Sequence, residues 1–142
     1  MPRYETSISI RAPREAVWNA LSDVASWPAW LPTVTHVEPL DGGPLLAGRR
    51  YRVSQPKLQP VTWVVTELEP PHHFTWQGRS PGLSLLAEHV VNLDSAGLVR
   101  VVLRFSFAGP LGGLIGALYR SVTERYIASE AAALKQKVEG PR

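Results

Sequence analysis

One residue with proton-transfer chemistry interrupts an otherwise apolar run: His89, within Leu83-Ser84-Leu85-Leu86-Ala87-Glu88-His89-Val90-Val91. An imidazole titrates at about 6.5 when unperturbed, so His89 is the candidate general acid or base for a carbonyl-rich substrate. No partner group is identifiable from the sequence, which leaves two other roles open: a hydrogen bonder in a cavity, or a core histidine satisfied by its neighbours. His72 and His73 follow Pro70-Pro71 and, as neighbours, cannot share one strand face, so they read as a surface turn. Zinc needs three or four converging ligands, and no helical i,i+4 pair or similar spacing supplies them, so no metal is expected. The chain has no cysteine, which removes disulfides, thiol nucleophiles and thiolate metal sites. A glycine-rich phosphate loop, a G-x-S-x-G elbow and paired carboxylates are also missing, and no cofactor is expected.

The elements that must position His89 follow from periodicity. Tyr4, Thr6, Ile8 and Ile10 alternate with polar residues as a half-buried strand does. Pro13 ends it and opens a short helix to about Ser22, with Ala16, Val17, Ala20 and Leu21 at helical spacing. Asp23 caps a second helical turn, and Pro28 and Pro32 confine the Trp27 to Pro32 segment to a kinked connector. Turn signals then punctuate six more strands: 34–40, 48–55, 61–69, 73–78, 83–93 and 98–107. The separations are too short for crossover helices, so an antiparallel meander is expected. Beyond Gly109-Pro110, Leu114, Ile115, Leu118, Val122, Tyr126, Ala131, Leu134 and Val138 drift along one helical stripe. About 25 helical residues would run nearly 40 Å, and only the sheet is large enough to cover that stripe. The expected fold is α+β, one domain over 1–142: a seven-stranded bent antiparallel sheet around a long C-terminal helix, with two short helices between strands 1 and 2.

Parity says what the concave side carries. Leu83, Leu85, Ala87, His89, Val91 and Leu93 share a face, as do Val99, Val101, Leu103, Phe105 and Phe107. Tyr51, Val53 and Gln55, Trp63 and Val65, and Phe74 and Trp76 join them, while Arg100 and Arg104 fall on the solvent side. Aromatic walls with isolated polar groups (Gln55, His89, the Tyr51 hydroxyl) have the composition of a ligand pocket. Gly112, Gly113 and Gly116 contribute no side-chain volume at the start of the long helix, so a void is expected between that end and the sheet. An ordinary core filled by the tryptophans fits the same pattern. Trp27 and Trp30 are expected to wall the cavity mouth, and Trp18 to lie in the core.

Composition bounds the rest. A hydrophobic share of 44% with 19% charged residues is globular, and no apolar run reaches the about 18 to 20 residues of a membrane span. Residues 1–11 lack a secretory-signal pattern, so cytoplasmic residence is the expectation. The net charge of +3 is dispersed, Arg49-Arg50 being the adjacent basic pair, and phosphate binding needs a clustered positive face, so no nucleic-acid partner is expected.

The segment Ala12-Pro13-Arg14-Glu15-Ala16-Val17-Trp18-Asn19-Ala20-Leu21-Ser22-Asp23, followed by Trp27-Pro28-Ala29-Trp30-Leu31-Pro32, resembles the N-terminal signature of the polyketide cyclase/dehydrase-like branch of the START-related (SRPBCC) superfamily. Val65 to Pro71 through Trp76 resembles the family's mid-sheet hairpin, and Gly109-Pro110-Leu111-Gly112 leading to Leu134, Lys135 and Glu139 its closing helix. The resemblance implies a helix-grip fold whose members include lipid and sterol carriers, hormone binders, aromatic polyketide cyclases and chaperone-activating modules, and fold does not select among them. Its cyclases place an arginine and hydroxyls in the pocket, whereas here Arg49 or Arg52 would turn inward only through a bulge. The first expectation is binding of a small hydrophobic molecule such as a lipid, isoprenoid or polyketide. The ligand-binding set would be Trp30, Tyr51, Val53, Gln55, Trp63, Val65, Phe74, Trp76, His89, Val91, Leu103, Phe105, Phe107, Leu114 and Leu118. The alternatives are a cyclase or dehydratase in which His89 moves protons, and a protein-interaction module using the outer sheet or the connector.

Overall fold

Seven strands form one antiparallel sheet in the computed structural model, which describes residues 2–94 and 96–140. They are β1 (Arg3–Ile10), β2 (His36–Pro39), β3 (Arg50–Ser54), β4 (Val61–Glu69), β5 (His73–Ser80), β6 (Leu83–Leu93) and β7 (Val99–Ala108). The sheet order is β1-β7-β6-β5-β4-β3-β2: the expected meander, with the first strand returning beside the last. The two longest strands pair from Ser84↔Ala108 to Leu93↔Val99. Their connection is held by Asp94, whose Oδ1 accepts the Ala96 and Leu98 N–H groups at 2.9 Å each. A register shift between Val65 and Glu67 bends β4 against β5.

Helix α1 (Arg14–Ser22) buries Val17, Trp18 and Leu21, and the Trp18 ring meets Phe74 of β5 edge-on at 6.2 Å. A 3-10 turn (Val24–Ser26) and the four-residue α2 (Trp27–Trp30) complete the connector. Trp27 is anchored there by its Nε1–H, which donates to the Leu21 carbonyl at 3.1 Å. On the outer face Arg104 bonds Glu5 of β1 and Glu88 of β6, and Arg100 donates to Ser7 Oγ, as the parity of these strands requires.

The long C-terminal helix is present, but the about 25 residues expected in one helix are divided between two. Helix α3 (Gly112–Leu118) and α4 (Arg120–Glu139) meet at Tyr119, whose φ of −98° and ψ of 17° leave helical geometry. Helix α4 buries Thr123, Ile127, Ala131 and Leu134 at spacings that keep one face inward. It lies chiefly along β1 and β7, with α1 against it, and Lys135 Nζ donates to the Ser9 carbonyl at 2.7 Å. No helix among the described residues is long and apolar enough to cross a membrane.

Two of the three glycines of α3, Gly112 and Gly116, leave no void beneath them but allow close approach, whereas Gly113 faces open space. A Cβ on Gly112 would meet the Phe107 backbone at 3.0 Å, and one on Gly116 would lie 2.5 Å from Pro2 Cγ and 3.0 Å from Phe107 Cγ. The Tyr4 hydroxyl donates to the Gly116 carbonyl at 2.8 Å and fixes the same contact. That docking turns Leu114 and Leu118 outward, each 70% exposed, and so corrects the expectation that they face the sheet. Gly116→Val should therefore destabilise the fold by about 1–3 kcal/mol through overpacking. Urea denaturation checks this, and a midpoint equal to wild type would mean that α3 does not pack on β7 as described.

Candidate functional site

Between α4 and the middle of the sheet lies a cavity of about 560 Å³. Strands β4 to β7 supply Trp63, Trp76, Leu85, Ala87, His89, Phe105 and Phe107 to its wall, β3 supplies Val53, and the segment beyond it supplies Gln55. Alternation carries these side chains inward, as read from parity. Helix α4 closes the cavity with Val122, Thr123, Tyr126, Ile127 and Glu130. Exposed Lys57, Gln59, Arg79, Ser80 and Tyr119 also line it and mark its mouth, whereas buried Trp27, Ala87, His89 and Ile127 mark its inner part.

The aromatic wall is a connected cluster. Trp63 stacks on Trp76 with ring centroids 5.5 Å apart and planes 21° apart, and meets Phe105 edge-on at 5.8 Å. Trp27 approaches Trp76 at 5.4 Å, so the connector contributes an inner wall rather than the mouth. Each ring is held by its neighbours, and the space in front of them stays open. Opposite Trp63 the sheet carries Gly78, where a Cβ would come within 2.6 Å of Val61 Cγ1.

His89 is 5% exposed and stacks on Phe74 at 4.1 Å with planes 11° apart. Its Nδ1 lies 3.2 Å from the Phe74 carbonyl oxygen. A carbonyl only accepts, so Nδ1 carries the hydrogen and Nε2 keeps the lone pair. Burial holds the imidazole well below its ordinary value, at about 4, against the smaller opposing effect of that hydrogen bond. Near neutral pH His89 is an uncharged ring with one basic nitrogen.

The structure adds a group that sequence reasoning missed. Glu130 lies on α4, three residues after Ile127 and four before Leu134, inside the apolar stripe. That placement is itself the sequence signal, a lone carboxylate on a buried helix face. Buried Thr33 donates its Oγ1 hydrogen to Glu130 Oε2 at 3.3 Å. Desolvation dominates over this bond and raises the carboxyl to about 7. The accessible surface that Glu130 retains goes with its place on the cavity wall. An uncharged base and a carboxyl poised between its two forms thus share one apolar hollow.

Of the residues expected at the site, Val53, Gln55, Trp63, Trp76, His89, Phe105 and Phe107 line the main cavity. Trp30 and Leu103 line a small adjoining recess that also touches His89 and Glu130. Tyr51, Val65, Phe74 and Val91 are buried in the core beside or behind the wall, with Tyr51 at 5.9 Å from the Trp76 ring. Burial pushes the Tyr51 hydroxyl up from its ordinary value and keeps it protonated. Leu114 and Leu118 lie outside. Arg49 donates to the Pro44 carbonyl and Arg52 is exposed; the arginine that does reach the cavity is Arg79, at the end of β5.

The two titrating groups leave opposite marks on stability. His89 falls from 6.5 to about 4 on folding, so the unfolded chain binds the extra proton between those values and stability is lost as pH falls through them. Glu130 rises from 4.5 to about 7, so the folded chain binds the extra proton and stability is lost as pH rises through that range. The slopes oppose each other where the windows overlap. Glu130→Gln should therefore unmask acid sensitivity and, above pH 7, stabilise the protein by about 2–3 kcal/mol. Urea denaturation across this range tests it; a variant profile parallel to wild type would show that Glu130 is solvated and ordinary.

A family model described as "Polyketide cyclase / dehydrase and lipid transport" matches residues 1–139. A relative from Penicillium oxalicum, oxopyrrolidines biosynthesis cluster protein O, is 36% identical over a match covering 48% of this chain and 42% of that protein. The match thus spans less than half of that relative. Among solved structures, the Zhui aromatase/cyclase from Streptomyces sp. R1128 has a TM-score of 0.77 at 20% identity, over 96% of this chain and 93% of that one. The di-domain ARO/CYC BexL from the BE-7585A biosynthetic pathway has a TM-score of 0.76 at 24% identity, over 98% of this chain and 47% of that one. Protein XoxI from Bacillus cereus has a TM-score of 0.78 at 17% identity, over 98% of this chain and 96% of that one. At these identities the structures show a shared fold, the helix-grip arrangement of sheet and long C-terminal helix. With its sequence matched from end to end by one family model and its fold shared with these aromatase/cyclases, this chain belongs to the polyketide cyclase/dehydrase and lipid transport family.

Proposed function

We propose that this protein binds one small, ring-bearing apolar molecule, of the size and character of an isoprenoid or a polyketide, in the cavity under α4. The observation that carries this reading is the hollow itself: about 560 Å³ walled by Trp27, Trp63, Trp76, Phe105 and Phe107. Small-molecule sites occupy about 300–1,000 Å³, mostly apolar with a few polar anchors. Affinity would come from apolar area removed from water, at about 25 cal/mol per Å² before the costs of association. Gln55, His89 and Glu130 would set orientation: His89 Nε2 accepts a hydrogen bond, and the carboxyl in its protonated form donates one. A ligand that is neutral and bears hydroxyl or carbonyl groups meets both. A carboxylate would be desolvated there beside a group that itself resists ionisation.

A second reading, a cyclase or dehydratase, is favoured by one observation: a raised carboxyl and a neutral imidazole line the same cavity. Glu130 in its acid form could protonate a carbonyl or departing hydroxyl oxygen while His89 Nε2 takes a proton from carbon or oxygen, and the cavity would hold a flexible chain in a reactive fold. The Zhui and BexL proteins, described as aromatase/cyclases, share the fold that such chemistry would use.

Titration with the neutral apolar fluorophore N-phenyl-1-naphthylamine, read by quenching of tryptophan emission, separates these readings from a solid core. Saturation at one probe per chain is expected. Ala87→Phe, which projects a ring into the hollow, should weaken binding at least about tenfold while the protein stays folded. Absence of saturable binding, or equal affinity in the filled variant, would remove the cavity reading. If a turnover is found with a polyketide-type substrate, His89→Gln and Glu130→Gln that retain probe binding but lose turnover would decide for the enzyme.

A further inference from the structure

The cavity mouth and the exposed apolar surface lie at the same end of the molecule. Seven large hydrophobic residues are exposed among those described, and four of them, Leu111, Leu114, Leu118 and Tyr119, belong to α3 and its two ends. Leu111, Leu114 and Leu118 follow an i, i+3, i+7 spacing and form one stripe. Its burial divides the helix three ways: Gly112 and Gly116 pack on Phe107 and Pro2, Ile115 and Tyr119 line the cavity, and the leucines face out. The Leu111 N–H donates to the Gly82 carbonyl at 2.8 Å, which ties this stripe to the β5–β6 turn. A contiguous apolar surface beside an opening marks a place of contact.

Charge identifies the partner. The three segments that frame the mouth, 55–62, 79–85 and 107–123, contain Lys57, Arg79 and Arg120 and none of the chain's 12 acidic residues. Lys57 and Arg79 have no ion-pair partner among the described residues, whereas Arg120 pairs with Glu124 at 3.5 Å. Leucines that can sink below the headgroups, next to unpaired cations at headgroup level, fit an anionic lipid bilayer.

We infer that the leucine stripe of α3 and the basic rim formed by Lys57 and Arg79 dock the cavity mouth on an anionic membrane surface. Docked there, the mouth opens onto the bilayer, so an apolar guest passes between membrane and cavity without crossing water. The docking stands on the surface alone; the exchange rests on the ligand-binding reading above. Helix α3 and Tyr119 border the opening, so seating the leucines in lipid also sets the opening against it.

Co-sedimentation with vesicles of phosphatidylcholine mixed with phosphatidylglycerol, compared with phosphatidylcholine alone, tests the docking. The wild type should bind the anionic vesicles preferentially and lose binding as salt is added. Leu114→Glu with Leu118→Glu should weaken binding about a hundredfold, since each leucine is worth about tenfold or more. Both side chains are exposed, so the thermal midpoint and the affinity for N-phenyl-1-naphthylamine should stay at wild-type values. Arg79→Ser and Lys57→Asn should each cost about fivefold; asparagine suits the φ of +65° at Lys57. A wild type that stays in the supernatant, or leucine variants that bind as well as wild type, would overturn the docking. So would a solution dimer that the leucine substitutions dissolve, because the stripe would then be covered by a second copy. Vesicle binding without probe binding would leave the surface standing and remove the cavity reading, and the reverse result would remove the surface alone.

Discussion

Width governs this molecule. Seven strands at about 4.8 Å spacing span nearly 30 Å, whereas one helix with its side chains is only about 10–12 Å across. Helix α4 settles along β1 and β7, tied to β1 by Lys135 and to the residue just beyond that strand by Glu139, whose Oε2 accepts the Arg11 N–H at 2.9 Å. The inner faces of β4, β5 and β6 are left for side chains to cover. Large aromatic residues stand there, and they brace each other within and across strands: Trp63 of β4 on Trp76 of β5, Phe74 on Trp76 along β5, and Trp63 on Phe105 of β7 across the concave face. A wall braced from the side keeps its shape without filling the space before it, and the hollow follows.

Electrostatics inside the hollow follow from the same enclosure. Glu130 has one modest hydrogen bond, from Thr33, and no ion-pair partner among the described residues, so burial prevails and raises the carboxyl to about 7. His89 has one backbone partner and an aromatic neighbour on its face, and burial keeps it neutral. In both groups burial disfavours the charged form, because charge is expensive where water is scarce. The surface works the other way: Glu5, Glu88 and Arg104 pair on the outer face of the sheet, where their charges keep contact with water.

Much of this arrangement was legible in the sequence. A period of two fixed which strand residues point inward, and Val53, Gln55, Trp63, Trp76, His89, Phe105 and Phe107 were placed on the correct face by parity alone. Parity distinguishes two faces but not depth, so Tyr51, Val65, Phe74 and Val91 were grouped with the cavity although packing buries them in the core. The helical stripe failed at its first turns. A continuous period of 3.6 assumes one axis, and the change of direction at Tyr119 ends that axis, so Leu114 and Leu118 were turned out. The glycines there invite a reading of empty space, whereas Gly112 and Gly116 let the helix backbone touch Phe107 and Pro2. Glu130 escaped notice for the opposite reason. A search for apolar periodicity passes over the polar residue that sits within it, and only the three-dimensional enclosure shows that this carboxyl is not on a solvated face. Arg79 was hidden by its position at a strand end, where the sheet no longer separates inside from outside.

The central claim is that the space between α4 and the aromatic wall is open to a guest. Diffraction from crystals pressurised with xenon tests it directly, because xenon enters dry apolar cavities and scatters strongly enough to be placed. The account calls for xenon density bounded by Trp63, Trp76, Phe105 and Ile127. A crystal structure in which these side chains meet across the space, with xenon nowhere between them, would contradict it.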